Sequence, residues 1–247
     1  MPAVRVGPSF GLLSQLTVLV ALAGTVGLTI TGWLLGIACG VATFVALARG
    51  LDHFGADALG PADRVTLVRA TLVGAVAALM ADAFVRPVAV PALVTFSVVA
   101  LVLDAVDGWV ARRTGTASPL GARFDGEVDA FLILVLSVYV ARSIGPWVLA
   151  IGAARYLFLV ASWLLPWMRA QLPPRYWRKT VAAIQGITLT VAVAKVLPQR
   201  GTEAVLVVAL GLLTESFGRD VWWLRQESVR SLVIAQRRPI AASLVRQ

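Results

Sequence analysis

Apolar positions run almost unbroken from Phe10 to Ala48, a stretch of 39 residues. As one helix it would extend about 58 Å, roughly twice the hydrocarbon thickness of a bilayer, so it must fold back on itself. The sequence puts that turn at Thr31-Gly32-Trp33 and predicts spans over 11–30 and 33–48. Later apolar runs predict spans over 65–83, 88–108, 126–143, 147–167, 180–197 and 203–218. Pro61, Pro87, Pro91, Pro146, the Pro173-Pro174 pair and Pro198 fall at or near the joints, where a missing N–H is tolerated.

Composition turns these runs into a fold class. Hydrophobic residues make up 59% of the 247 positions and charged residues 14%, against about 25% charged in a soluble domain. Mean hydropathy is +0.84. Eight spans of about 20 residues would take roughly 160 positions and leave only loops and termini outside the bilayer. The expectation is an all-α, polytopic integral membrane helical bundle without a separate soluble domain. The first apolar stretch is about twice the length of a signal-peptide core and no convincing cleavage site follows it, so it is read as mature structure. No low-complexity run or internal repeat divides the chain.

The formal charge of +9 comes from 22 Lys and Arg against 13 Asp and Glu. In a membrane chain this excess points to cytoplasmic loops and anionic headgroups, not to nucleic acid. With eight spans and both termini inside, Arg5, Arg49, Arg64, Arg69, Arg112, Arg113, Arg123, Arg169, Arg175, Arg178, Lys179, Arg219, Arg225, Arg230, Arg237, Arg238 and Arg246 are cytoplasmic. The outer loops keep only Arg86, Arg142, Lys195 and Arg200, which fixes the orientation. The single Cys39 allows no internal disulfide, and the single His53 argues against histidine-based metal chemistry.

Four carboxylates stand at the ends of two apolar helices: Asp104 and Asp107, then Asp125 and Asp129. Spacings of three and four put each pair on one helical face. The short, turn-like segment between Arg113 and Leu120 makes the two helices antiparallel neighbours, so all four converge at the cytoplasmic membrane surface. Such a cluster repels itself unless cations compensate it. Hard oxygen ligands without nearby His or Cys select Mg²⁺, Mn²⁺ or Ca²⁺. A cation transporter is the competing class, but its site would lie near the bilayer midplane, in broken helices or repeats.

The same residues carry a family resemblance. Asp104-Ala-Val-Asp107-Gly108-Trp-Val-Ala111-Arg112, then eight residues, then Gly121-Ala-Arg-Phe-Asp125-Gly-Glu-Val-Asp129, resembles the complete D-x2-D-G-x2-A-R … G-x3-D-x3-D signature of the CDP-alcohol phosphotransferases. The resemblance implies a six-helix core over 61–218, preceded by an extension over 1–60 with two further spans and followed by a basic cytoplasmic tail over 219–247. It implies metal-dependent transfer of a phosphatidyl group from a CDP-linked lipid, such as CDP-diacylglycerol, to an alcohol, with release of CMP. Two ions, Mg²⁺ or Mn²⁺, would be held by Asp104, Asp107, Asp125 and Asp129, with Asp129 also the general base for the acceptor hydroxyl. Gly108 and Ala111 would let the nucleotide approach the backbone, and Arg112 would bind phosphate.

Upstream, Asp63-Arg-Val-Thr66-Leu-Val-Arg69 is similar to the family's entry to its first core helix. Thr66 is expected on the cytidine or its phosphate, and Arg69 on the Asp cluster or the diphosphate. Asp63 is either a CDP-lipid contact or a helix cap. Downstream, Arg155 resembles an acceptor-pocket arginine, and Arg178-Lys179-Thr180 with Gln185 resembles a segment of glycerophosphate- and cardiolipin-type members. A pocket of Arg155, Arg178 and Lys179 would suit a phosphorylated polyol. Glycerol 3-phosphate is the favoured acceptor, as in a phosphatidylglycerophosphate synthase, with inositol phosphate second and phosphatidylglycerol third. The setting is a bacterial-type cytoplasmic membrane with the site facing the cytoplasm, and a homodimer is allowed for.

Overall fold

The computed structural model describes residues 6–54, 59–115, 118–170, 172, 173 and 175–244. Arg5, Pro174 and Arg246, used above, lie outside the described residues. Among the described residues all regular structure is helical: α1 (Val6–Thr25), α2 (Ile30–Phe54), α3 (Pro61–Asp82), α4 (Val90–Thr114), α5 (Pro119–Ile144), α6 (Leu149–Leu164), α7 (Tyr176–Ala194) and α8 (Gln199–Leu244). Short 3-10 turns, Pro146–Val148 and Pro166–Arg169, flank α6. By length and composition α2, α3, α4 and the Pro146–Leu164 segment can each cross a membrane, while Ser9–Thr25 of α1 is a shorter apolar helix. Prolines open the elements as their chemistry allows, with Pro61, Pro91 and Pro119 in the first turns of α3, α4 and α5.

Helix α3 is the centre of the bundle and packs against α1, α2, α4 and α5. Its sequence explains why. Ala75, Ala77 and Ala78, interleaved with Val73, Val76 and Leu79, are all buried, and small side chains let neighbouring backbones come close. Helices α5 and α7 close the other side, with α4 packed on both α3 and α7.

The first turn is not where the sequence put it. α1 ends at Thr25 and α2 begins at Ile30, so the chain reverses over 26–29, with Gly27 at φ +74° in the left-handed region that favours glycine. Gly32 instead lies inside α2, where a β-carbon would collide with the Asp82 carboxylate. Asp82 is fully buried and accepts from Thr29 N (3.0 Å), Thr29 Oγ1 (2.6 Å) and Arg86 Nη2 (3.0 Å), while Arg86 also donates to the Gly27 carbonyl. This network fastens the α1–α2 hairpin to the end of α3.

At the opposite end, Gly115 terminates α4 in a left-handed conformation, and the Ser118 hydroxyl caps α5 by accepting from Gly121 N at 2.9 Å. Contrary to the expectation that α4 and α5 are packed neighbours, the two helices scarcely touch: both lie against α3 and α7, which come between them. α8 continues without a break from Gln199 to Leu244, so one helix carries both the last expected span and the described part of the basic tail.

Candidate active site

The site is assembled where the C-terminal half of α4, the first three turns of α5 and the second and third turns of α3 meet. Helical spacing brings Asp104 and Asp107 onto one face of α4, and Asp125 and Asp129 onto one face of α5. Arg69 projects from α3 into their midst, with only 1% of its side chain exposed. Its Nη1 lies 2.9 Å from Asp104 Oδ1, 2.6 Å from Asp107 Oδ2 and 2.6 Å from Asp125 Oδ1, and its Nη2 donates to Asp129 Oδ1. A buried guanidinium needs acceptors for its rigid fork of donors, and these carboxylates supply them.

Asp107 is the buried member of the set, whereas Asp104, Asp125 and Asp129 keep 35%, 22% and 27% of their side-chain exposure. The cluster is thus rooted in the bundle and open on one side. Thr66 Oγ1 donates to Asp107 Oδ2 at 3.2 Å, one turn before Arg69 on the same face of α3. Asp63 is buried at the start of that helix and accepts from Gly60 N at 3.0 Å, which is the capping geometry. Gly121 gives it room, because a β-carbon there would run into Asp63 Oδ1.

The donor set fits divalent cations. Asp104, Asp107 and Asp125 each offer an oxygen within 4.8 Å of the others. Among the described residues, the guanidinium of Arg69 is the one cation in ion-pair contact with these four carboxylates. Hard, anionic oxygens in that number are the ligands that Mg²⁺ and Mn²⁺ take.

The basic residues are arranged less compactly. Arg112 is exposed one turn beyond Gly108, with Nη1 3.3 Å from where a Gly108 β-carbon would stand, and Ala111 is half-buried beside it. Lys179, at the start of α7, acts electrostatically on Asp104. Arg155 on α6 pairs with Glu127 of α5 at 2.7 Å, and its Nε is buried without a hydrogen-bond partner among the described residues. Arg178 donates to the Pro173 carbonyl and lies 3.7 Å from Asp220 of α8. Burial pushes the Asp220 carboxyl above its ordinary range, and Arg178 and Arg175 pull it back. Arg155 and Arg178 are therefore held by partners on different helices, and neither meets Lys179.

Sequence reasoning missed the part played by Glu127. Its place two residues from both Asp125 and Asp129 was the available signal, since it turns the side chain to the other face of α5, toward α6. It also named Arg69 as a partner of the cluster without anticipating that one guanidinium meets all four carboxylates.

The family model for CDP-alcohol phosphatidyltransferases matches residues 59–215, which takes in Arg69 and all four clustered carboxylates. An archaetidylinositol phosphate synthase from Aeropyrum pernix is 50% identical over 60 residues, which is 24% of this chain and 29% of that protein. The chain thus aligns with less than a third of that curated relative's length. No solved structure gives a significant match.

Proposed function

Because the chain belongs to the CDP-alcohol phosphatidyltransferase family, we propose that it transfers a phosphatidyl group from a CDP-linked lipid to a phosphorylated polyol at the Asp cluster, releasing CMP. The acceptor oxygen forms a new bond to the lipid phosphorus, the bond from that phosphorus to the CMP oxygen breaks, and the acceptor's proton passes to Asp129. The observation that carries this reading is the convergence of Asp104, Asp107, Asp125 and Asp129 on the single guanidinium of Arg69.

Asp104, Asp107, Asp125 and Asp129 would hold the divalent ions, whose chemistry is to bind the diphosphate oxygens and stabilise charge developing on the departing CMP. Thr66 orients the Asp107 carboxylate by donating to it. Arg69 neutralises part of the cluster and keeps its members at hydrogen-bonding distance from a single centre. Gly108 and Ala111 keep the approach to the cluster low, and the exposed Arg112 meets phosphate there. Asp63 acts through the entry of α3, as a positioning residue. Asp129 is suited to take the proton because its carboxylate is partly exposed and anchored by Arg69 on one oxygen only.

For the acceptor, the electrostatic pull of Lys179 on Asp104 favours a phosphate-bearing alcohol over a neutral one, while Arg155, turned to Glu127 on the other face of α5, enters on the family resemblance alone. The archaetidylinositol phosphate synthase relative moves inositol phosphate ahead of glycerol 3-phosphate. The positive excess on the loops at this end supports a site facing the cytoplasm. The test is product analysis with CDP-diacylglycerol and a panel of inositol phosphate, glycerol 3-phosphate, phosphatidylglycerol, free inositol and serine. The reading expects a lipid product from a phosphorylated polyol, and turnover confined to free inositol or serine would overturn the acceptor class.

A further inference from the structure

A second cavity lies on the other face of α5, between the core and the N-terminal hairpin, and none of the cluster carboxylates lines it. It has a volume of about 660 Å³ and is walled by Leu47 of α2, Val73 of α3, and Phe124, Val128 and Phe131 of α5. Half of this wall comes from α2, which precedes the matched family domain at 59–215. Cys39, Ala42 and Ala46 carry the groove along α2 away from its polar mouth. From Arg49 to Cys39 the rise is about 15 Å, half of the roughly 30 Å hydrocarbon core and so the depth of one leaflet.

The mouth is cationic. Arg49 and Arg123 line it and are exposed, and neither has an ion-pair partner among the described residues. The acidic lining residue Glu127 is already paired with Arg155. His53 and Tyr156 add polar atoms at the same level. An apolar slot one leaflet deep, closed at its mouth by two guanidinium groups that no described carboxylate pairs, matches a lipid whose phosphate is not neutralised by its own headgroup.

We propose that the N-terminal hairpin and the catalytic core together form a binding site for one diacyl phospholipid with a net-anionic headgroup, its phosphate on Arg49 and Arg123 and an acyl chain along α2. The bound lipid braces α5, because Phe124 and Val128 form the wall while their neighbours Asp125 and Asp129 face Arg69.

Native mass spectrometry of the purified full chain with added phosphatidylglycerol or phosphatidylcholine tests the proposal. Wild type should retain one phosphatidylglycerol in preference to phosphatidylcholine. Arg49→Gln with Arg123→Gln, both at exposed positions that leave folding intact, should weaken that retention roughly 30-fold. Ala46→Trp, which fills the groove from an exposed position on α2, should abolish it with both arginines present. Asp104→Ala should retain the lipid, which separates this site from the Asp cluster. Equal retention of both lipids, undiminished retention in the double arginine variant or in Ala46→Trp, loss in Asp104→Ala, or one-for-one displacement by CDP-diacylglycerol would each overturn it.

Discussion

Arg69→Gln removes the one cation that the four clustered carboxylates share. Breaking a buried pair by deleting one partner costs about 3–5 kcal/mol. Asp104, Asp125 and Asp129 keep 35%, 22% and 27% of their side-chain exposure, so solvent screens much of their mutual repulsion. The loss should therefore fall near the lower end, about 3 kcal/mol. In a chain of this length that corresponds to a fall in Tm of about 6–12 °C. Divalent cations take the same oxygens and relieve the same repulsion, and a ligand at 100 times its Kd adds about 2.7 kcal/mol to the folded state. Saturating Mg²⁺ should thus recover most of the loss. Thermal unfolding of the detergent-solubilised protein, followed by tryptophan fluorescence in EDTA and in Mg²⁺, measures both quantities. An unchanged Tm in EDTA, or a deficit that Mg²⁺ leaves untouched, would refute the role given to Arg69.

Asp129→Asn keeps the size of the side chain but cannot take the acceptor's proton, so kcat should fall about 10²-fold or more while the KM for CDP-lipid changes less. Steady-state kinetics on both substrates will show whether the loss sits in kcat. Gly121→Ala drives a β-carbon into Asp63 and should destabilise the α3–α5 contact by about 1–3 kcal/mol, read as a lower Tm with metal binding preserved. Lys179→Ala and Arg155→Ala should raise the KM for a phosphorylated acceptor more than the KM for the CDP-lipid. Equal effects on the two constants would remove these residues from the acceptor pocket.

The carboxylate cluster was legible because its geometry is local. Spacings of three and four fix which residues share a face of α4 or α5, whereas the expected direct packing of the two helices failed because α3 and α7 come between them. Arg69 was only partly legible, since its convergence on four carboxylates depends on how α3 sits between α4 and α5, a tertiary fact that its own helix does not encode. The misplaced first turn has a similar cause. A glycine in an apolar span serves either a turn or a close helix contact, and only the neighbour decides. Gly27 meets the backbone requirement of the turn, while Gly32 makes space for Asp82, a residue 50 positions away. The scattered acceptor candidates reflect the same limit, because Glu127 and Asp220, which hold Arg155 and Arg178, come from other helices.

The central claim is that the Asp cluster is a divalent-metal site for cleaving a CDP-linked lipid. Its most direct test is CMP release from CDP-diacylglycerol by the purified full chain with a phosphorylated polyol present, in Mg²⁺, in Mn²⁺ and in EDTA, alongside Asp107→Ala. Release should require a divalent ion and vanish in Asp107→Ala, whose circular dichroism and elution volume stay those of the wild type. Release that persists in EDTA, or in folded Asp107→Ala at a rate near that of the wild type, would contradict the account.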